Sequence, residues 1–308
     1  MSPLIMTKLK ERLGQYQFST ILSIAVDDLF AIEKHKIIKR INSSRNPFSL
    51  NPVVIVADPF LFVHKEELYL FYEEQVELKG KGVIKMTKTQ DLKKWTKPLV
   101  VLQEDFHLSY PNVFELDGQI FMLPETGDDN SIRLYTPNDD LTKWTFYKNL
   151  LMGRHFTDSD IVLHNGTFFL FTTDYTDKTN ILRMYYSDKL GTQWIEHIQS
   201  PIANGKNTGR CGGSIINYNS KLYRPCQLTQ KRYGEGVDLY EITALSKEEY
   251  KEERIKTVIP NVKKNYREGG HHFNCYSFKN QVILATDIFE MKLNYWEVAK
   301  RLISKLKS

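Results

Sequence analysis

The chain has 308 residues, 41% of them hydrophobic and 12% aromatic, and carries a net charge of +5. That content is too apolar for disorder and can bury a sizeable core, while the mild charge favours anionic partners only weakly and implies no nucleic acid. Cys211, Cys226 and Cys275 stand at no metal-ligand spacing, so no zinc site is expected.

In chain order, residues 1–14 read as a short amphipathic helix, with Leu4, Ile5, Leu9 and Leu13 opposite Lys8, Lys10 and Arg12. Residues 18–26 read as a strand and 27–50 as irregular, with a loop at Asn42-Ser43-Ser44-Arg45-Asn46-Pro47. From residue 51 one hairpin pattern returns five times. The copies are Asp58-Pro59-Phe60-Leu61-Phe62 into Leu68-Tyr69-Leu70-Phe71, then Tyr110-Pro111-Asn112-Val113-Phe114 into Ile120-Phe121-Met122-Leu123. Asp158-Ser159-Asp160-Ile161-Val162 runs into Phe168-Phe169-Leu170-Phe171, and Gly212-Gly213-Ser214-Ile215-Ile216 into Leu222-Tyr223-Arg224. His272-Phe273-Asn274-Cys275-Tyr276 into Val282-Ile283-Leu284 is the last. Asp117-Gly118 and Asn165-Gly166 are strong hairpin turns.

Third strands are expected at 82–87, 132–135, 182–186 and 237–242, and Trp95, Trp144 and Trp194 read as outer-blade packing groups. Residues 246–254 read as a charged surface turn or helix. Residues 289–308 read as a basic amphipathic helix, Trp296, Leu302, Ile303 and Leu306 opposite Lys300, Arg301, Lys305 and Lys307. It would either pack on the side of the domain or dock on an anionic membrane surface.

Hairpins repeating at roughly 50-residue intervals mark propeller blades, whereas a β-sandwich repeats its strands without a longer period. The expected fold is therefore all-β: a single domain, 1–308, forming a five-bladed β-propeller over 51–288 with short amphipathic helices at both termini. The strand at 18–26 should complete the last blade beside residues 282–285, which removes an exposed edge. There is no leader-like n-region, apolar segment and cleavage site, and no apolar run of spanning length. A cytoplasmic location follows as the expectation, peripheral to the inner membrane face if the terminal helix docks. The sequons at Asn42 and Asn165 then read as chance matches.

Aligning the copies by their turns makes Asp58, Tyr110, Asp158, Gly212 and His272 equivalent at the entrance of each inner strand. Glu73, Glu125, Thr173, Gln227 and Asp287 are equivalent at the far end of each second strand. A propeller brings such positions to one axis.

Ala57-Asp58-Pro59 with its hairpin resembles the first-blade motif of five-bladed propeller glycosidases such as glycoside hydrolase family 43. More specific are His107-Leu108-Ser109-Tyr110-Pro111, Pro124-Glu125-Thr126, Phe156-Thr157-Asp158-Ser159, Lys221-Leu222-Tyr223-Arg224-Pro225 and Gly270-His271-His272. Together they resemble the propeller domain at the N-terminus of plant glucosamine inositolphosphorylceramide transferases, which also occurs in bacterial proteins of surface-polysaccharide loci. The resemblance covers residues from about 50 to 290.

The family 43 resemblance implies Asp58 as general base and Asp158 as the acid that tunes pKa and orients the sugar. The fourth-blade general acid of that pattern has no match, for Gly209-Arg210-Cys211-Gly212-Gly213 stands there. Glu125 is the substitute acid. An absent acid favours a diphosphate leaving group, which needs neutralisation more than protonation. Arg210, Arg224, His271, His272 and Arg154 are the candidate cations, and Tyr110 a pocket wall. The sequence reading thus prefers a glycosyltransferase using a nucleotide-sugar donor in surface-polysaccharide or glycolipid synthesis. An inverting family 43-like hydrolase, a non-catalytic glycan-binding propeller and a phosphorylase stay open behind it. Asp158-Ser159-Asp160 has the Asp-x-Asp form of a metal site, but inside a blade motif a divalent metal is not expected and no firm cofactor is assigned. Adjacent residues of a strand point oppositely, so one of His271 and His272, taken as His272, should face the pocket.

Overall fold

A computed structural model describes residues 15–292 apart from 45, 47, 51, 77–79, 206–207, 231–232 and 259–266, and beyond them 295, 296, 298, 299 and 303. Five antiparallel sheets follow one another in sequence and form the blades of a propeller. The first blade is Val53–His64, Glu67–Val76, Gly82–Thr89 and Leu99–Leu102. The second is Ser109–Leu116, Gln119–Glu125, Ser131–Pro137 and Trp144–Met152. Phe156–His164, Thr167–Asp174 and Ile181–Ser187 make most of the third, and Ile216–Tyr218, Lys221–Leu228, Gly236–Leu245 and Tyr250–Val258 the fourth. All four expected third strands are present.

The fifth blade joins both ends of the chain. Its strands Phe273–Phe278 and Gln281–Lys292 are completed by Gln15–Ile24, with Leu22 opposite Ala285 and Ile24 opposite Ile283. The expected closing strand is therefore in place. Lys36–Ile41 adds a further strand beyond it, where the sequence suggested irregular chain. Isoleucines at 37, 38 and 41 supply the β-branched side chains that a half-covered outer strand favours.

Two other expectations are corrected. Residues 250–258 are a strand, because Tyr250 and Val258 bury against the blade while the charges between them face outward. The C-terminal helix expected over 289–308 starts too early: Phe289 is buried in the last strand, which runs to Lys292. No α-helix is among the described elements, and the helix expected at 1–14 lies outside the described residues. Among those residues no helix is long and apolar enough to cross a membrane.

Core clusters sit between neighbouring blades. One unites Phe62, Phe71 and Met86 of the first blade with Met122, Tyr135 and Trp144 of the second. Trp144 and Trp194 are buried in such clusters and Trp95 packs against another, as outer-blade packing groups should.

Each of the first three inner strands carries an irregularity at its entrance. The pairing register shifts between Ala57 and Phe60, between Ser109 and Asn112, and between Thr157 and Asp160. Within those bulges Asp58, Tyr110 and Asp158 all adopt left-handed backbone, with φ of 49°, 48° and 47°. In the fourth blade the positive φ falls on Gly213, at 138°. Non-glycine residues pay for that conformation, and bulges re-aim side chains, so three side chains are turned to the axis at the cost of local strain.

Candidate functional site

The second strand of each hairpin runs antiparallel to the first, so its far end returns to the entrance of its partner. Ala57 pairs with Glu73, Ser109 with Glu125 and Thr157 with Thr173. Both aligned sets of residues therefore meet at one end of the axis.

Asp58 and Asp158 belong to that single cluster, each influencing the other's ionisation. Asp58 is buried, with His271 Nε2 3.4 Å and His272 Nδ1 3.5 Å from its Oδ1. Burial alone would raise its pKa, but His271, His272 and Arg210 outweigh it and lower the carboxyl to about 2. His271 is held on its other side by Asp287, Nδ1 to Oδ2 at 2.7 Å. Burial opposes its protonation, yet Asp287 and Asp58 raise the imidazole to about 9.

Asp158 is arranged differently. Arg210 Nε donates to its Oδ2 at 2.6 Å and Gln227 Nε2 at 3.0 Å. Burial raises it to about 7 in spite of Arg210, with Glu125 and Asp58 adding to the rise. Glu125 is hydrogen-bonded to the side chain and backbone amide of Asp158, and its pKa is also raised, chiefly by burial. Two adjoining carboxyls cannot both ionise cheaply, so this pair holds a proton near neutrality. Glu73, buried among Asp58, Glu125, Asp158 and Asp287, is driven well above the usual carboxylate range. His107 lies 3.5 Å from it and accepts the backbone N–H of Gly82 through Nδ1.

The layer is graded. Asp58, Asp158, Asp287, His271 and His272 are buried, while Glu125, Arg210, His107 and Tyr233 are part-exposed. Tyr233 packs its ring on His271 at 4.9 Å and under the Arg210 guanidinium at 5.3 Å.

Several sequence expectations change here. Both histidines reach Asp58, because residues 270–272 precede the strand and lack its alternation. Tyr110 is wholly buried: its hydroxyl accepts the Gly213 N–H at 2.8 Å and its ring packs on His272, so it braces the site instead of walling it. Arg224 leaves the site altogether, its guanidinium paired with Glu252 at 2.7 Å. Arg154 pairs with Asp174. Asp160 does not join Asp158 in a metal pair, for it binds Asn112 and the Ile215 amide. Glu73, Asp287, Gln227, His107 and Tyr233 were not expected as site residues. The turn alignment had already placed the first three at equivalent positions. Asp58, His271 and Asp287 bring one donor atom each within 4.8 Å of one another, a spacing that would admit a cation. The 2.7 Å ion pair and raised imidazole instead favour a protonated His271, which has no lone pair to offer a metal.

Among solved structures the fold is similar to a family 117 glycoside hydrolase of Zobellia galactanivorans, with a TM-score of 0.52 at 9% identity over 92% of this chain and 91% of that one. It is also similar to an exo-1,5-alpha-L-arabinanase from a bovine ruminal metagenomic library, with a TM-score of 0.52 at 15% identity over 80% and 96% of the two chains. These likenesses concern the fold. Sequence similarity is greater to glucosamine inositolphosphorylceramide transferase 1 of Oryza sativa subsp. japonica, 36% identical over 69% of this chain and 29% of the relative. The protein of that name from Arabidopsis thaliana is 34% identical over 72% and 30%. The chain thus spans less than a third of the length of these relatives. Residues 41–285 match the family described as glucosamine inositolphosphorylceramide transferase 1, N-terminal, and the chain belongs to that family of carbohydrate-related propellers.

Proposed function

We propose that the axial cluster is an acid–base site for a glycosidic linkage. Asp58 takes the proton of an attacking hydroxyl or water, and Glu125, sharing its proton with Asp158, protonates the departing oxygen. The observation that carries this reading is the divergence of the carboxyls: one lowered to about 2, the Glu125–Asp158 pair raised, Asp158 to about 7. Environments that push neighbouring acids apart assign base and acid. Arg210 would then be the residue that sets the pair's proton affinity.

The same geometry lowers the standing of a nucleotide-sugar donor. Among the described residues at this end, Arg210 is committed to Asp158, Arg154 to Asp174 and His271 to Asp287. A diphosphate would have to displace those partners. Transfer to a sugar or lipid hydroxyl remains the second reading, favoured by the transferase name of the relatives. That name points to amino-sugar linkages on inositol phosphate lipids as the first substrates to try.

Leaving-group dependence tests the assignment. Purified protein is assayed on natural-type glycosides and on dinitrophenyl glycosides, whose leaving group needs no proton. Glu125→Gln should lose turnover on the former and recover it on the latter, whereas Asp58→Asn should fail on both. Turnover unaffected by either substitution, or strictly dependent on nucleotide sugar, overturns the reading.

A further inference from the structure

Beyond Phe60 lies a second cavity, about 370 Å³ in volume, at the opposite end of the axis. Two residues past each entrance position come Phe60, Asn112, Asp160, Ser214 and Asn274, one from every blade, and all five line it. Phe60 closes its inner end, packed on Tyr110 at 4.8 Å and on His272 at 4.6 Å, which separates it from the acid cluster. A volume of this order suits a small ligand, and five strands converge on it without a loop that must first fold.

The ring is internally braced. Asn112 donates to Asp160 at 2.5 Å, Asn274 donates to Ser214 at 2.6 Å, and the Asn274 carbonyl accepts the Leu61 amide at 3.0 Å. Asp160 accepts the Ile215 amide through its second oxygen. Each amide and hydroxyl keeps further hydrogen-bonding capacity. Tyr218 and Tyr276 also line the cavity, Tyr276 38% exposed.

The lining selects the ligand. No Lys, Arg or His is part of it, and Asp160 would repel an anion. A single carboxylate with both oxygens already engaged is a poor cation site. The polar ring would be left unsatisfied by a lipid chain. We infer that this cavity binds a neutral polyhydroxylated ring, a pyranose or cyclitol, its hydroxyls on the Asn112–Asp160–Ser214–Asn274 ring and its apolar face on the tyrosines. Asp160, buried and raised to about 7, supports the fit, since such a carboxyl both donates and accepts near neutrality. The site is independent of the chemistry proposed for Asp58.

Saturation-transfer NMR on the full chain tests it, with glucose, galactose, mannose and myo-inositol as probes at millimolar concentration, beside glucuronate and glucose 1-phosphate. At least one neutral ring should bind and the two anions should not. Tyr276→Ala and, at the exposed rim, Asn217→Ala should each weaken binding roughly tenfold with the melting temperature unchanged, while Asp58→Asn binds as the parent does. The inference is overturned if no neutral ring binds. It is equally overturned if binding survives both rim substitutions or is lost in Asp58→Asn, which would put the ligand in the acid cluster.

Discussion

Asp287 grips His271 twice, through the ring at 2.7 Å and through the backbone amide, which donates to Oδ1 at 2.7 Å. Both side chains are buried. A buried pair broken on one side leaves a charge without compensation, so Asp287→Asn should destabilise the domain by about 3 kcal/mol. Denaturant titration measures this; a loss below the scatter of surface substitutions would show that the pair is not ionised.

The same imidazole should make stability depend on pH. Its folded pKa of about 9 lies above the ordinary 6.5, so its contribution is complete below pH 6.5 and is lost as pH rises through 9. Melting temperature should fall across that window, and His271→Gln should flatten the fall. An unchanged slope in the variant would assign the effect elsewhere.

Removal of the proposed base should separate chemistry from binding. Asp58→Asn keeps the side-chain size, and turnover should drop roughly a thousandfold, in the range of general-base contributions, with ligand affinity little altered. Steady-state kinetics beside calorimetry reads both. Equal losses in affinity and turnover would describe a binding module.

Activity should decline on the alkaline side near pH 7, where the Glu125–Asp158 pair gives up its proton. Asp58, lowered to about 2, contributes no acid limb in the ordinary assay range. Arg210→Gln withdraws the charge that favours ionised Asp158 and should move the limb upward. A pH–rate profile of the two proteins gives the direction, and a downward shift would contradict the arrangement.

Gly213 is the structural counterpart of these functional tests. A Cβ there would stand 1.9 Å from the carbonyl oxygen of Phe273, on backbone with φ of 138°. Gly213→Ala should cost more than about 3 kcal/mol, since neither strain nor clash can relax without parting two blades. Thermal unfolding would show it.

The propeller was legible because hairpin turns and aromatic strands repeat, and the closing strand followed from the need to cover an edge. Lys36–Ile41 and Tyr250–Val258 were missed because outer strands are half exposed and carry charge, which blurs their alternation. Asp58, Asp158 and Glu125 were found by position. Asp287 and Glu73 were aligned but passed over, since their importance arises from pairing across blades. Arg224 misled for the same reason: its buried partner Glu252 lies 28 residues away and has no signature in the sequence. Which of two adjacent histidines faces inward depends on where the strand begins, and that boundary is set by tertiary contacts.

The fifth sheet draws its strands from residues 15–24 and 281–292, and that has a consequence for biogenesis. During synthesis the first of these segments has no partner until almost the entire polypeptide has left the ribosome. Four sheets can form as they emerge, but the circle cannot be clasped before translation nears its end. The segment that waits is a naked edge throughout, and its protection by a chaperone, or its speed in finding the other end, decides between a sealed ring and an aggregate.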